Sequence, residues 1–308
     1  MDFARDVSFR LPLCRGEDVR AIQQALTILQ STPPCGTVDG IFGSATQKSV
    51  SWFQQASQLS PTGIVDKPTW EALFKQAADR QKQVSGGAAS VLVAAAAKTA
   101  PADMPVRRDQ AIRARDWLFT NFLPQIEQAV QGTPLDPNLV AAIACKETAN
   151  VWLDWIKRLS PDEVLARCVF DASGDYPGTS RSAFPRNAQA FREKVGDALT
   201  DALIAEANEM RKVRGWGPER WLYKGYGLFQ YDLQHYLTDP GFFENREWRK
   251  FDVCLDKLML EMKRKLEASN GDLPDAIRRY NGSGPKAEQY RGHVLFIYAW
   301  LKDAPFAN

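Results

Sequence analysis

The stretch TPLDPNLVAAIACKETAN, residues 133–150, reads as a helix with a fixed start and one misplaced charge. Asp136 is a favourable N-cap, Pro137 suits the first helical position, and Leu135 can staple onto Val140 across the cap. Val140, Ile143 and Ala144 then trace an apolar stripe at i, i+3 and i+4, and the i+7 position on that stripe is Glu147. An acid sits where a core residue belongs. A carboxyl on a buried face is disfavoured as an anion, so its pKa should rise and it can stay protonated near neutral pH, as a general acid must. The other reading of the position is a glutamate at a helix end that turns outward to solvent or pairs with an arginine.

Around this helix, further amphipathic stretches fall at 111–122, 197–211, 252–266 and 290–301. Strand-like alternation is nearly absent, so residues 107–308 are expected to form an α-dominant domain. Two short motifs follow the helix. KGYGLFQYD (224–232) is a Gly-flanked apolar turn carrying one amide, Gln230, and one acid, Asp232. AIRRYNG (276–282) ends a helix at an Asn-Gly turn, which fits a C-cap. Trp216, Trp221, Tyr223, Tyr226, Phe229, Tyr231 and Tyr236 crowd into the 21 residues around the first motif. Aromatic faces stack on the apolar faces of sugars, but core packing is their commoner use, so about a third are assigned to a cleft.

Towards the N-terminus, residues 8–75 read as a small helical module. Val19, Ile22, Leu26 and Leu29 recur at helical spacing until Pro33-Pro34. A second helix should begin at Ser44, with Ser44-x-x-Gln47 as a capping box, and a third near Asp66. Sliding the sequence by 23 residues superposes Gly40 on Gly63, Ile41 on Ile64, Thr46 on Thr69 and Val50 on Leu73. That is an internal duplication of one turn-and-helix unit. Residues 76–106, with Ser85-Gly86-Gly87, an alanine-rich run, Pro101 and Pro105, read as a linker.

Two resemblances follow from these motifs. VDGIFGSATQKSVSWFQ (38–54) followed by GIVDKPTWEALF (63–74) is similar to the three-helix peptidoglycan-binding domain of many cell-wall hydrolases, over about residues 10–75. The resemblance implies binding to the bacterial wall, with Asp39, Phe42, Phe53 and Gln54 as candidate wall-binding residues. They are read first as fold-determining and only secondarily as ligand contacts. The helix ending in Glu147-Thr148, the GLFQ turn and the Tyr280-Asn281 pair, in this order, resemble the lysozyme-like fold of lytic transglycosylases and goose-type lysozymes, over about residues 115–301. Together they suggest a modular phage endolysin of mainly α class.

Carried over by position, the second resemblance implies Glu147 as the acid/base and Asp232 as the candidate second carboxylate. It implies Tyr226, Gly227, Gln230, Tyr280 and Asn281 as substrate-binding residues. Four features depart from the pattern: Thr148 replaces serine, Phe229 replaces methionine, Arg279 replaces the usual small residue before Tyr-Asn, and 80 positions separate Glu147 from Gly227. The implied reaction is cleavage of the β-1,4 bond between N-acetylmuramic acid and N-acetylglucosamine. It ends either in hydrolysis or, through the sugar's own 6-hydroxyl, in an anhydro product. A non-catalytic wall-anchoring protein and a secreted antibacterial effector are the other readings.

Composition narrows the classes. The chain has 308 residues, 44% hydrophobic and 25% charged, enough for about two globular domains. Its 39 basic and 37 acidic residues give a net charge of +2 without a basic cluster, which argues against a nucleic-acid partner. No apolar run suffices for a membrane span. The two histidines, His235 and His293, form no HExxH motif, and neither metal nor cofactor is expected. Five cysteines form no CxxC pair and read as free thiols, with a Cys14 to Cys35 bridge left open. The opening residues lack a signal-peptide h-region, so the expectation is a monomer made in the cytoplasm that acts on the wall after release.

Overall fold

Val19, Ile22 and Leu26 bury one face of α1 (Glu17–Ile28) in a core shared with Val50 and Phe53 of α2 (Ser44–Ala56). Trp70, Leu73 and Ala77 of α3 (Lys67–Ala95) complete it, together with Phe42 and Val65. Two antiparallel bridges, Val7 with Val65 and Arg15 with Ile41, tie the connecting segments. The expected capping box at Ser44 is not formed: Gly43 occupies the N-cap, Ser44 is already helical, and no side chain caps the helix.

The structure is a computed structural model that describes residues 2–96 and 99–306. The described residues fall into two units. One runs to Ser90 and takes in Val130–Asp136; the other comprises Val91–Ala129 and the chain from Pro137 onward. The expected boundaries at 75 and 106 therefore move. Residues 76–95 are not linker but the continuation of α3, because an alanine-rich sequence is a good helix former and two glycines, at about 1 kcal/mol each, do not outweigh it. Gln81 on this extension receives the Gly132 N–H at 2.7 Å and donates to the Thr133 carbonyl at 3.1 Å, which places residues 130–136 in the first unit. Residues 97 and 98 of the expected linker, and the last two of the expected second domain, lie outside the described residues.

The second unit is mainly α. After α4 (Arg108–Val130), α5 (Pro137–Ala144) starts where the proline predicts. Every residue from Leu139 to Ala144 is buried, so α5 is a central helix and not a surface helix with one apolar stripe. It continues as a π-helical turn, Cys145–Ala149, and a final turn, α6 (Asn150–Trp152). The following segment carries α7 (Pro161–Ala166), β1 (Val169–Phe170), α8 (Ala188–Val195) and α9 (Asp197–Val213). Then come β2 (Gly225–Tyr226), β3 (Tyr231–Asp232), α10 (Pro240–Glu244), α11 (Phe251–Ala268), α12 (Leu273–Tyr280) and α13 (Pro285–Lys302). α13 packs on α5 and α12, and α12 on α11.

A small antiparallel sheet of order β1-β2-β3 pairs Val169 with Tyr226 and Tyr226 with Tyr231. Strands of two residues are too short to show an alternation of period two, so this sheet leaves no trace in the residue pattern. No helix among the described residues is long and apolar enough to cross a membrane. All five cysteines are buried and unbridged, Cys14 and Cys35 included.

Candidate active site

Glu147 sits in the π-helical turn, where α5 widens before it ends. Its half-buried side chain lines a cleft of about 770 Å³, and the Tyr290 hydroxyl of α13 donates to its Oε1 at 2.6 Å. Burial raises the Glu147 pKa and outweighs the Tyr290 hydrogen bond and the Lys146 charge, which both lower it. Burial, reinforced by the Glu147 charge, pushes the Tyr290 and Tyr280 phenols far up as well, so both remain neutral donors. The arrangement suits a carboxyl that holds a proton and can give it away.

The second motif is a hairpin loop between β2 and β3. Gly227 has φ +75°, and a Cβ there would lie 2.5 Å from the Cys254 Sγ, so the position requires glycine twice over. Gln230, also at positive φ, donates its amide to the Gly227 carbonyl at 2.8 Å. The loop is fastened to the Glu147 helix by Thr148, whose hydroxyl donates to the Leu228 carbonyl at 2.9 Å and receives the Trp152 indole N–H at 2.8 Å. From α12, the Tyr280 hydroxyl donates to the Phe229 carbonyl at 3.0 Å. The long intervening segment has not displaced the turn from the helix.

Glu147, Gln230, Asp232, Tyr280 and Asn281 all line this one cleft. Two expected ligand contacts do not behave as such. Gly227 is buried and shapes the loop without lining the cleft. Tyr226 is among the lining residues, but its side chain has no exposed surface and its ring lies edge-on to Phe243 and Trp248, so it backs the cleft wall. Tyr231 and His235, stacked at 4.4 Å, are lining rings that the sequence did not single out as ligand contacts.

Asp232 is held in a way the sequence did not anticipate. Arg181, itself buried, clamps both carboxylate oxygens at 2.9 and 2.5 Å, and the Gln234 N–H donates to Oδ1 at 2.7 Å. The other cleft carboxylates are also paired: Asp171 with Lys224 at 2.8 Å and Glu261 with Lys265 at 2.8 Å. Among the described residues, Glu147 is the cleft carboxyl without an ion pair. Cys145 is fully buried and its thiol is pushed up to about 12, which suits packing and not nucleophilic attack.

In the N-terminal unit the duplication has a structural counterpart. Buried Gln23 receives the Gly40 N–H at 2.8 Å and turns its amide to Asp39, the Ile41 carbonyl and Thr46. Buried Gln54 receives the Gly63 N–H at 2.8 Å and turns its amide to Thr62, the Ile64 carbonyl and Thr69. One buried amide organises each copy of the turn. Residues 15–73 match the family described as "Putative peptidoglycan binding domain". They form a peptidoglycan-binding domain. No curated protein and no solved structure matches the chain.

Within the peptidoglycan-binding domain, three of the expected wall-binding residues are interior. Phe42 and Phe53 fill the core and Gln54 is the organising amide, so none of them can touch a polymer outside. Asp39 is exposed, but its carboxylate accepts from the Ile41 N–H and the Gln23 amide, which hold its pKa below the usual carboxylate value. It maintains the turn.

Proposed function

We propose that the second unit is a peptidoglycan glycosidase that cleaves the β-1,4 bond after N-acetylmuramic acid in bacterial cell lysis, with Glu147 as general acid and base. The peptidoglycan-binding domain associates the chain with the wall. The observation that carries the glycosidase reading is a single unpaired carboxyl, its pKa raised by burial, facing a cleft of about 770 Å³.

Protonated Glu147 gives its proton to the glycosidic oxygen, which leaves with the electron pair of the broken bond. The muramoyl C1 then carries positive charge. The resulting Glu147 carboxylate takes the proton of the same sugar's 6-hydroxyl, whose oxygen closes on C1 and forms the 1,6-anhydro ring. Glu147 ends protonated and no water is consumed. The ion pairs on Asp171, Asp232 and Glu261 favour this route over hydrolysis, because activating water needs a second carboxylate free to accept a proton.

In zymography on purified sacculi, Glu147→Gln is expected to lose clearing completely. Full clearing by that variant overturns the assignment, and a wild-type chain that binds sacculi without cutting them is a wall anchor. Mass spectrometry of the wild-type products should show the anhydro sugar; a reducing muramic end instead would return the role of base to a second carboxylate.

A further inference from the structure

Beside the cleft lies a second cavity of about 550 Å³, which shares Phe170 and Asp171 with it and is built wholly from the segment between Glu147 and Gly227. Trp216 and Tyr176 on its wall are 44% and 54% exposed, a high value for large rings. Two guanidinium groups lie over indoles here: Arg211 at 4.9 Å from Trp221 and Arg214 at 4.0 Å from Trp216.

Their charge balance differs. Arg211 is buried, donates to the Gly217 carbonyl and the Tyr223 hydroxyl, and lies 3.9 Å from Glu219. Asp171 is taken by Lys224. Arg214 has no carboxylate partner among the described residues, and the groups around it desolvate its guanidinium and lower its pKa. An exposed, unpaired cation stacked on one indole and laid beside exposed ring faces is a receptor for a carboxylate carried on an apolar or sugar stem.

We propose that this cavity is a subsite for the peptide-bearing sugar of the glycan strand: Trp216 and Tyr176 take an apolar face and Arg214 pairs with a carboxylate of the stem peptide. The inference rests on the glycosidase reading for the presence of a strand in the adjoining cleft. Continuity with the cleft selects the occupant, since a strand seated over Glu147 runs on past Phe170 into this cavity. Uncharged glycans offer Arg214 no anion, and a peptide-free strand offers only the lactyl carboxylate on the sugar itself, not one carried out along a peptide. The site therefore makes the chain selective for strands that still carry their peptides.

The test is binding to the full-length Glu147→Gln chain, which does not cut the probe. Three probes are used: soluble peptide-bearing strands, the same strands with their carboxylates amidated, and peptide-free strands that keep the lactyl carboxylate. Adding Arg214→Glu is expected to weaken the first about tenfold, as loss of a charge-assisted contact would, and to leave the other two within about twofold. Arg214→Lys, which keeps the charge, should retain most of the preference. The peptidoglycan-binding domain contributes equally to both chains, so their ratio reads the cavity. An unchanged affinity for the peptide-bearing strands, or an equal loss on all three probes, overturns the proposal. Because the readout is binding, a wild-type chain that shows the preference but never cuts overturns only the glycosidase reading.

Discussion

At the scale of the residue, the proposed chemistry depends on how tightly Glu147 holds its proton. The Tyr290 hydrogen bond stabilises the carboxylate, so it opposes the effect of burial. Tyr290→Phe removes that donor, the Glu147 pKa rises further, and the alkaline limb of the kcat profile should move to higher pH. A limb that stays in place would separate Tyr290 from the proton transfer. Stability carries the same signature. The folded pKa lies above the unfolded value of 4.5, so the contribution of this group is fully present below 4.5 and is lost as pH rises through the folded pKa. Glu147→Gln lacks that loss. Its Tm advantage over the wild type should be smallest below pH 4.5 and widen as pH rises, which thermal melts across that window will show.

At the scale of the element, the cleft depends on fastening the hairpin loop to the end of α5. Thr148 does this across 80 positions of chain, with one hydroxyl serving Leu228 and Trp152. Thr148→Val keeps the shape but leaves an indole N–H and a carbonyl unpaired in a buried place, so it should cost about 2 to 3 kcal/mol in denaturant melts. Thr148→Ser keeps the hydroxyl and should cost about 1 kcal/mol, the value of a buried methyl. The start of α5 and the glycine in the loop were legible in the sequence because Pro137 and Gly227 answer local backbone demands. The π-helical turn was not, since widening a helix by one residue per turn leaves no period in the side chains. Glu147 faces the cleft from that turn, and not simply from the seventh place of an apolar stripe.

At the scale of the whole molecule, the peptidoglycan-binding domain and the proposed glycosidase site belong to separate units. Damage to one should therefore leave the chemistry of the other intact. Gln23→Leu removes the amide that organises the first copy of the repeat and leaves the Gly40 N–H and the Ile41 carbonyl without it, a loss of about 2 to 4 kcal/mol for that unit. Cosedimentation with sacculi should fall, while turnover of short soluble strands stays at the wild-type rate. Equal losses in both would tie the two functions together. The duplication was readable because its glycines and threonines recur at one spacing. The amides were not, since Gln23 and Gln54 lie at unequal distances before their turns.

By itself the sequence determined what short range can encode: helical periods, the proline that starts α5, the glycines that turn the chain, and a repeat whose two copies need the same turn. The tertiary structure decided which partners the carboxyl groups meet. Glu147 is tuned by a tyrosine 143 positions away, and Asp232 is clamped by an arginine 51 positions away that no pattern connects to it. Backbone demands are met within a few residues, whereas a carboxyl's proton depends on whichever distant groups folding places in the same poorly hydrated space.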